Sequence, residues 1–141
     1  MKKIKIDVPI LNLSLFVIFF WFGILKPLGM SPAEELVVKT VDWMPFFEPL
    51  IWVKIIGIWE AFIGIFFLFS KTIRISLILL FLQMTGTFIP LFKLPHVCFQ
   101  LSHIPYAPTL EGQYIIKNII IIAAALLLAD KKVRASIYSE N

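Results

Sequence analysis

Apolar residues run almost unbroken through four stretches of the chain, 8–25, 50–69, 75–92 and 114–129, and charges and prolines collect in the breaks between them. A bilayer core of about 30 Å takes roughly 20 apolar residues per helix, fewer where flanking side chains snorkel. The pattern therefore predicts an all-α membrane protein, a four-transmembrane-helix bundle forming a single integral membrane domain over residues 1–141. The first long break holds Ser31-Pro32-Ala33-Glu34, a capping-box pattern with proline at the first helical position. Leu36, Val37, Thr40, Val41 and Met44 then recur at helical spacing, so a short interfacial helix is expected over about 32–44 in the first outer loop, broken by Pro45 and Pro49. The second long break, from Lys93 to Gly112, has no period and reads as ordered coil.

Composition agrees with the pattern. Of the 141 residues 60% are hydrophobic and 16% charged, outside the range of soluble domains. The net charge of +4 comes from basic residues at the ends of apolar runs, not from a stripe across a folded surface, which argues against nucleic acid as a partner. Eight of the 13 basic residues, namely Lys2, Lys3, Lys5, Lys71, Arg74, Lys131, Lys132 and Arg134, fall on one side of the spans. The positive-inside rule makes that side cytoplasmic and places both termini there, in a bacterial inner membrane. The first run ends in Lys26-Pro27 without a small-residue cleavage site and reads as a retained anchor.

Ionisable groups within spans are expensive and are functional candidates by default. On the second span Gly57, Ala61 and Gly64 share one face, with Lys54 and Glu60 flanking it. Small residues allow close helix approach, so Glu60 is expected to be sheltered. Ser76, Gln83, Gly86, Thr87 and Pro90 form a stripe on the third span; Glu111, Tyr114, Asn118 and Ala125 form another on the fourth, beside Lys117. With Gly23 and Lys26 from the first span, these groups suggest a polar pocket opening outward. Glu60, Lys26, Lys54, Gln83, Thr87, Glu111, Tyr114, Lys117 and Asn118 are its expected ligand-binding residues. The alternative is structural: Glu60 paired to Lys54, Lys26 or Lys117, with Gln83 and Asn118 bonding between helices. His96, Cys98 and His103 in the outer loop are weak metal candidates because a fourth ligand and a recurrent spacing are lacking. The single cysteine rules out an internal disulfide or a CxxC pair, although Cys98 could pair with another chain.

Trp21-Phe22-Gly23-Ile24-Leu25-Lys26, Gly57-Ile58-Trp59-Glu60-Ala61-Phe62-Ile63-Gly64 with its basic turn, Thr87-Phe88-Ile89-Pro90, and Pro108-Thr109-Leu110-Glu111-Gly112-Gln113-Tyr114-Ile115-Ile116-Lys117-Asn118 resemble the DoxX-like family of four-helix bacterial membrane proteins. The resemblance covers about residues 8–130. It implies a four-helix bundle in the inner membrane with Gly23, Lys26 and Glu60 as marked positions. It also implies association with quinone-coupled sulfur oxidation or oxidative-stress defence, without an enzyme activity of its own.

The resulting expectation is an accessory subunit that binds a small amphipathic ligand such as a quinone and associates with membrane or soluble redox partner proteins, or with further copies of itself. The alternative is a structural or assembly subunit of a larger membrane complex. No self-contained catalytic set is legible in either case.

Overall fold

The computed structural model describes residues 8–139; Lys2, Lys3, Lys5 and both chain ends lie outside them. The described chain forms α1 (Val8–Leu25), α2 (Glu34–Val41), α3 (Pro49–Phe67), α4 (Ile73–Lys93), α5 (Pro95–Cys98), α6 (Leu110–Lys117) and α7 (Ile119–Ser139). Among the described residues, three stretches are long and apolar enough to cross a membrane: Pro49–Phe67, Ile73–Lys93 and Leu110–Ala135. Pro9–Leu25 is apolar but shorter.

Several local expectations are revised. The last apolar stretch, expected over 114–129, is helical from Leu110, because the Thr109 hydroxyl accepts from the Gly112 amide at 3.2 Å and starts α6. Asn118 only punctuates it, at the junction of α6 and α7. Pro49 does not break a helix; it occupies the first turn of α3, where its missing N–H costs nothing. The Ser31 capping box does not form. Ser31 accepts from the Ala33 amide at 3.3 Å, and α2 begins behind an uncapped Ala33. The second long break is more than coil: it contains α5, and an isolated bridge pairs Phe99 with Pro108.

Side chains from α1, α3, α4 and α7 meet in one apolar core that includes Leu15, Phe19, Ile63, Phe67, Leu77, Leu80, Met84, Ala125 and Leu128. The buried Ser76 hydroxyl donates to the Ile63 carbonyl at 2.9 Å, tying α4 to α3 without leaving a polar atom unmatched. The tightest seam is between α1 and α3. A Cβ on Gly57 would lie 2.6 Å from the Gly23 carbonyl oxygen and 2.7 Å from the Pro27 ring, and one on Gly64 would lie 2.6 Å from the Phe20 nitrogen. The stripe of small residues is therefore the face that packs, and α1 is what it packs against.

That seam also sets the register. Gly64 faces Phe20 while Gly57 faces Gly23 and Lys26, so α1 runs antiparallel to α3 and stops level with Gly57. At 1.5 Å per residue this is about 12 Å short of the start of α3. The helix expected to lie at the membrane surface continues upward from there. It packs on α3 and α4, with Thr40 and Val41 buried. Its carboxyl end is held by Lys93 at the end of α4, whose ammonium bonds the carbonyls of Lys39 and Thr40 at 3.3 and 3.1 Å and pairs with Asp42. A cation at a helix carboxyl terminus is favourable. Two short helical pieces, α1 and α2, thus occupy one corner of the fold.

Opposite this loop end lies a basic end. There Lys132 donates to the Ser70 carbonyl in the α3–α4 turn at 2.9 Å, so the basic residues of the turn and of α7 converge. Trp21, Phe22, Phe62, Ile78, Leu82 and Ile120 are exposed along the helices. Exposed apolar side chains in such number suit contact with lipid chains.

Gly57→Val would drive a branched side chain into the α1 backbone. It should lower stability in detergent by about 1–3 kcal/mol. Gly86→Ala, at a position where a Cβ meets nothing within 4 Å, should not lower the melting temperature, since alanine is the better helix former. Thermal unfolding followed by size-exclusion chromatography compares the two, and equal melting of both variants would refute the close α1–α3 seam.

Candidate functional site

The polar groups predicted within the spans separate into two sets. Lys26, Glu60 and Gln83 come together. Lys26 sits in the turn that ends α1, its amide donating to the Gly23 carbonyl at 3.2 Å. Its ammonium pairs with Glu60 Oε2. Gln83 on α4 donates from Nε2 to Glu60 Oε1 at 2.6 Å. Both carboxylate oxygens therefore have partners, on two different elements. Thr87 stands one turn beyond Gln83, but its hydroxyl donates to the Gln83 backbone carbonyl at 3.0 Å and does not reach Glu60.

The side chains of Lys26 and Glu60 are only 8% and 13% exposed. A charge in such a place is tolerated because its partner and further hydrogen bonds replace water. Lys26 also lies beside the carboxyl end of α1, where the helix dipole favours a cation.

The layers above and below the triad are apolar. Towards the basic end, Met84, Leu80, Ile63 and Phe19 belong to the main core. Towards the loop end, Cys98, Phe99 and Ile115 form a second cluster, with Leu36 of α2 and Phe88 and Leu91 of α4 against it. Phe88 touches both clusters. Where an outward-opening polar cavity is expected from the sequence, the loop end thus carries an apolar cap, to which α2 contributes.

The second set stays apart. Lys54 is exposed on α3 and makes no ion pair with Glu60, whose partners are Lys26 and Gln83. Glu111, Tyr114 and Lys117 are exposed on α6, with the Lys117 ammonium 5.7 Å from the Tyr114 ring centroid. Asn118 is half-buried at the α6–α7 junction. None of these is bonded to the triad among the described residues.

Nor are His96, Cys98 and His103 gathered. Both histidines are exposed and His103 Nδ1 lies 2.8 Å from the Ser102 hydroxyl, whereas Cys98 is fully buried. Among the described residues no three His, Cys, Asp or Glu side chains form a group able to hold a metal ion.

Two arrangements were not anticipated. One is the Lys93 clasp on α2, for which the sequence offers only a basic residue at the end of a span. The other is a knot around Thr109, whose amide donates to the Cys98 carbonyl at 2.9 Å and whose hydroxyl donates to Val97 O at 2.6 Å. Gly112 is required beside it, since a Cβ there would collide with the Cys98 carbonyl. The Thr-x-x-Gly spacing was the available signal.

A scan against protein-family models finds none that matches the chain, and searches among curated proteins and among solved structures find no match either.

Lys26→Met leaves the Glu60 carboxylate buried without its cation and should destabilise the protein by about 3–5 kcal/mol. Lys26→Met/Glu60→Leu should recover most of that loss. Unfolding measurements that find the double variant no better than the single would remove the ion pair from the account. Burial first, and then the nearby Glu111 charge, push the Cys98 thiol above its usual range. The thiolate is the reactive form, so alkylation of the folded protein at pH 8 should be slow and should accelerate on denaturation. Rapid labelling of the folded form would contradict this environment.

Proposed function

We propose that the chain is a multi-pass membrane accessory subunit built as a four-transmembrane-helix bundle, and that Lys26, Glu60 and Gln83 form its binding site for a small amphipathic ligand. The observation that carries this reading is the break between α1 and α2. Irregular backbone at membrane depth is tolerated where it is buried in protein or lines a cavity, and interrupted helices commonly supply binding sites near the midplane. Here the interruption falls level with the middle of α3, and it delivers Lys26 to Glu60.

A carbonyl-bearing head group, such as that of a quinone, would accept hydrogen bonds from Lys26 and Gln83. Glu60 would hold or release a proton beside it. Lateral entry is supported at Gly86, one turn from Gln83 on α4, where the backbone borders open space. The motifs around Gly23, Lys26 and Glu60 support membership of a DoxX-like group, in a bacterial inner membrane with both termini on the cytoplasmic side, acting with redox or stress-response partners.

The structural reading also has a specific observation in its favour. Each oxygen of Glu60 already has a partner, and a closed polar layer can fix the register of a bundle without meeting a ligand. An assembly subunit of a larger membrane complex is the corresponding function.

Native mass spectrometry with quinone extraction on gently purified protein separates the two. Under the ligand reading one small molecule accompanies each chain, and both Glu60→Gln and Gly86→Phe lose it, the latter with an unchanged melting temperature. Bulk lipid alone in every sample, with Glu60→Gln affecting only stability, would leave the assembly reading.

A further inference from the structure

A second place in the fold combines apolar and charged groups, at the basic end and remote from Glu60. A cavity of about 200 Å³ opens between the start of α4 and the end of α7, lined by Ile73, Leu128, Lys131, Lys132 and Ala135. Its floor is apolar, for Ile73 and Leu128 are buried members of the main core. Its rim is cationic. Lys131 and Lys132 line it directly, and Lys71, Arg74 and Arg134 stand in the adjoining turn and helix end. Asp130 is the one acidic residue in these segments among the described residues, and it is paired with Arg134.

We propose that this cleft binds one anionic phospholipid, with its phosphate beside Lys131 and Lys132 and one acyl chain against Ile73 and Leu128. Charge complementarity selects the occupant. A zwitterionic lipid would gain the apolar contact but little from a rim of this charge, and a soluble anion would leave the apolar floor unused. Basic pockets between helices at the ends of membrane spans take anionic head groups for this reason. The rim is also partly preorganised. Lys132 is tethered to the Ser70 carbonyl and retains two further N–H donors for a phosphate oxygen. Its position at the junction of the α3–α4 turn with α7 means that the lipid would bridge two segments that the Lys132 hydrogen bond also links.

The test uses the full chain in detergent, offered equal amounts of phosphatidylglycerol and phosphatidylcholine and read by native mass spectrometry. Wild type should retain one phosphatidylglycerol per chain in preference. Removing two surface cations in Lys131→Gln/Lys132→Gln should weaken that retention on the order of thirtyfold. Ala135→Trp keeps every charge and, because Ala135 is exposed, fills the cleft from its rim without entering the core. It should abolish the same retention. Lys39→Gln, on α2, should have no effect. Equal retention of both lipids, or retention indifferent to the paired lysine change, would overturn the proposal. Loss in the lysine variant alone, with Ala135→Trp unaffected, would reduce it to diffuse surface attraction and overturn the cleft. Displacement of the lipid by a co-purifying protein would overturn it in favour of a partner chain.

Discussion

The carboxylate of Glu60 has to be neutralised where water is scarce, and much of the architecture follows from how that is done. An isolated charge in a low-dielectric interior is too costly to keep, so it must have both an opposite charge and hydrogen bonds to its remaining lone pairs. Lys26 supplies the first and Gln83 the second. The two donors come from different parts of the chain. One is delivered by the end of α1, and the other by the middle of α4. Glu60 is thereby a three-element junction, and sliding any of these helices by a turn would leave a buried polar group without its partner.

The junction has a geometric consequence at the first corner of the fold. Lys26 can reach Glu60 only if α1 lies close to α3, which Gly23, Gly57 and Gly64 permit by carrying no side chain at the contact. The chain also leaves helix at that depth. The remaining height is filled by α2, fastened at its far end by Lys93. A helix of eight residues has little stability alone, so α2 depends on its packing against α3 and α4 and on that clasp. The result is a polar layer closed between two apolar clusters, with Phe88 common to both. The basic end is organised by a different principle. Lys131 and Lys132 border an apolar recess there, whereas the buried charges of the Glu60 layer are paired with each other.

Hydrophobic patterning alone determined the helical class, the positions of α1, α3 and α4 to within about two residues, and the packed face of α3, because span length and small-residue spacing are local properties of the chain, whereas the last helix starts before and runs well past its apolar core, to Ser139. Glu60 was legible as a sheltered carboxylate for the same reason. The choice of Lys26 over Lys54 or Lys117 as its partner was not, since it depends on how the end of α1 meets α3 and on which faces of α3 and α6 the packing leaves exposed. Glu111, Tyr114 and Lys117 share a helical face in sequence, yet that face is exposed, because α6 packs through Gly112 and Ile115. The interruption of the first corner, the apolar cap where an open pocket was expected, and the basic cleft all depend on contacts between residues far apart in the chain. Periodicity reports which side of a helix is apolar; what that side meets is decided only when the helices pack.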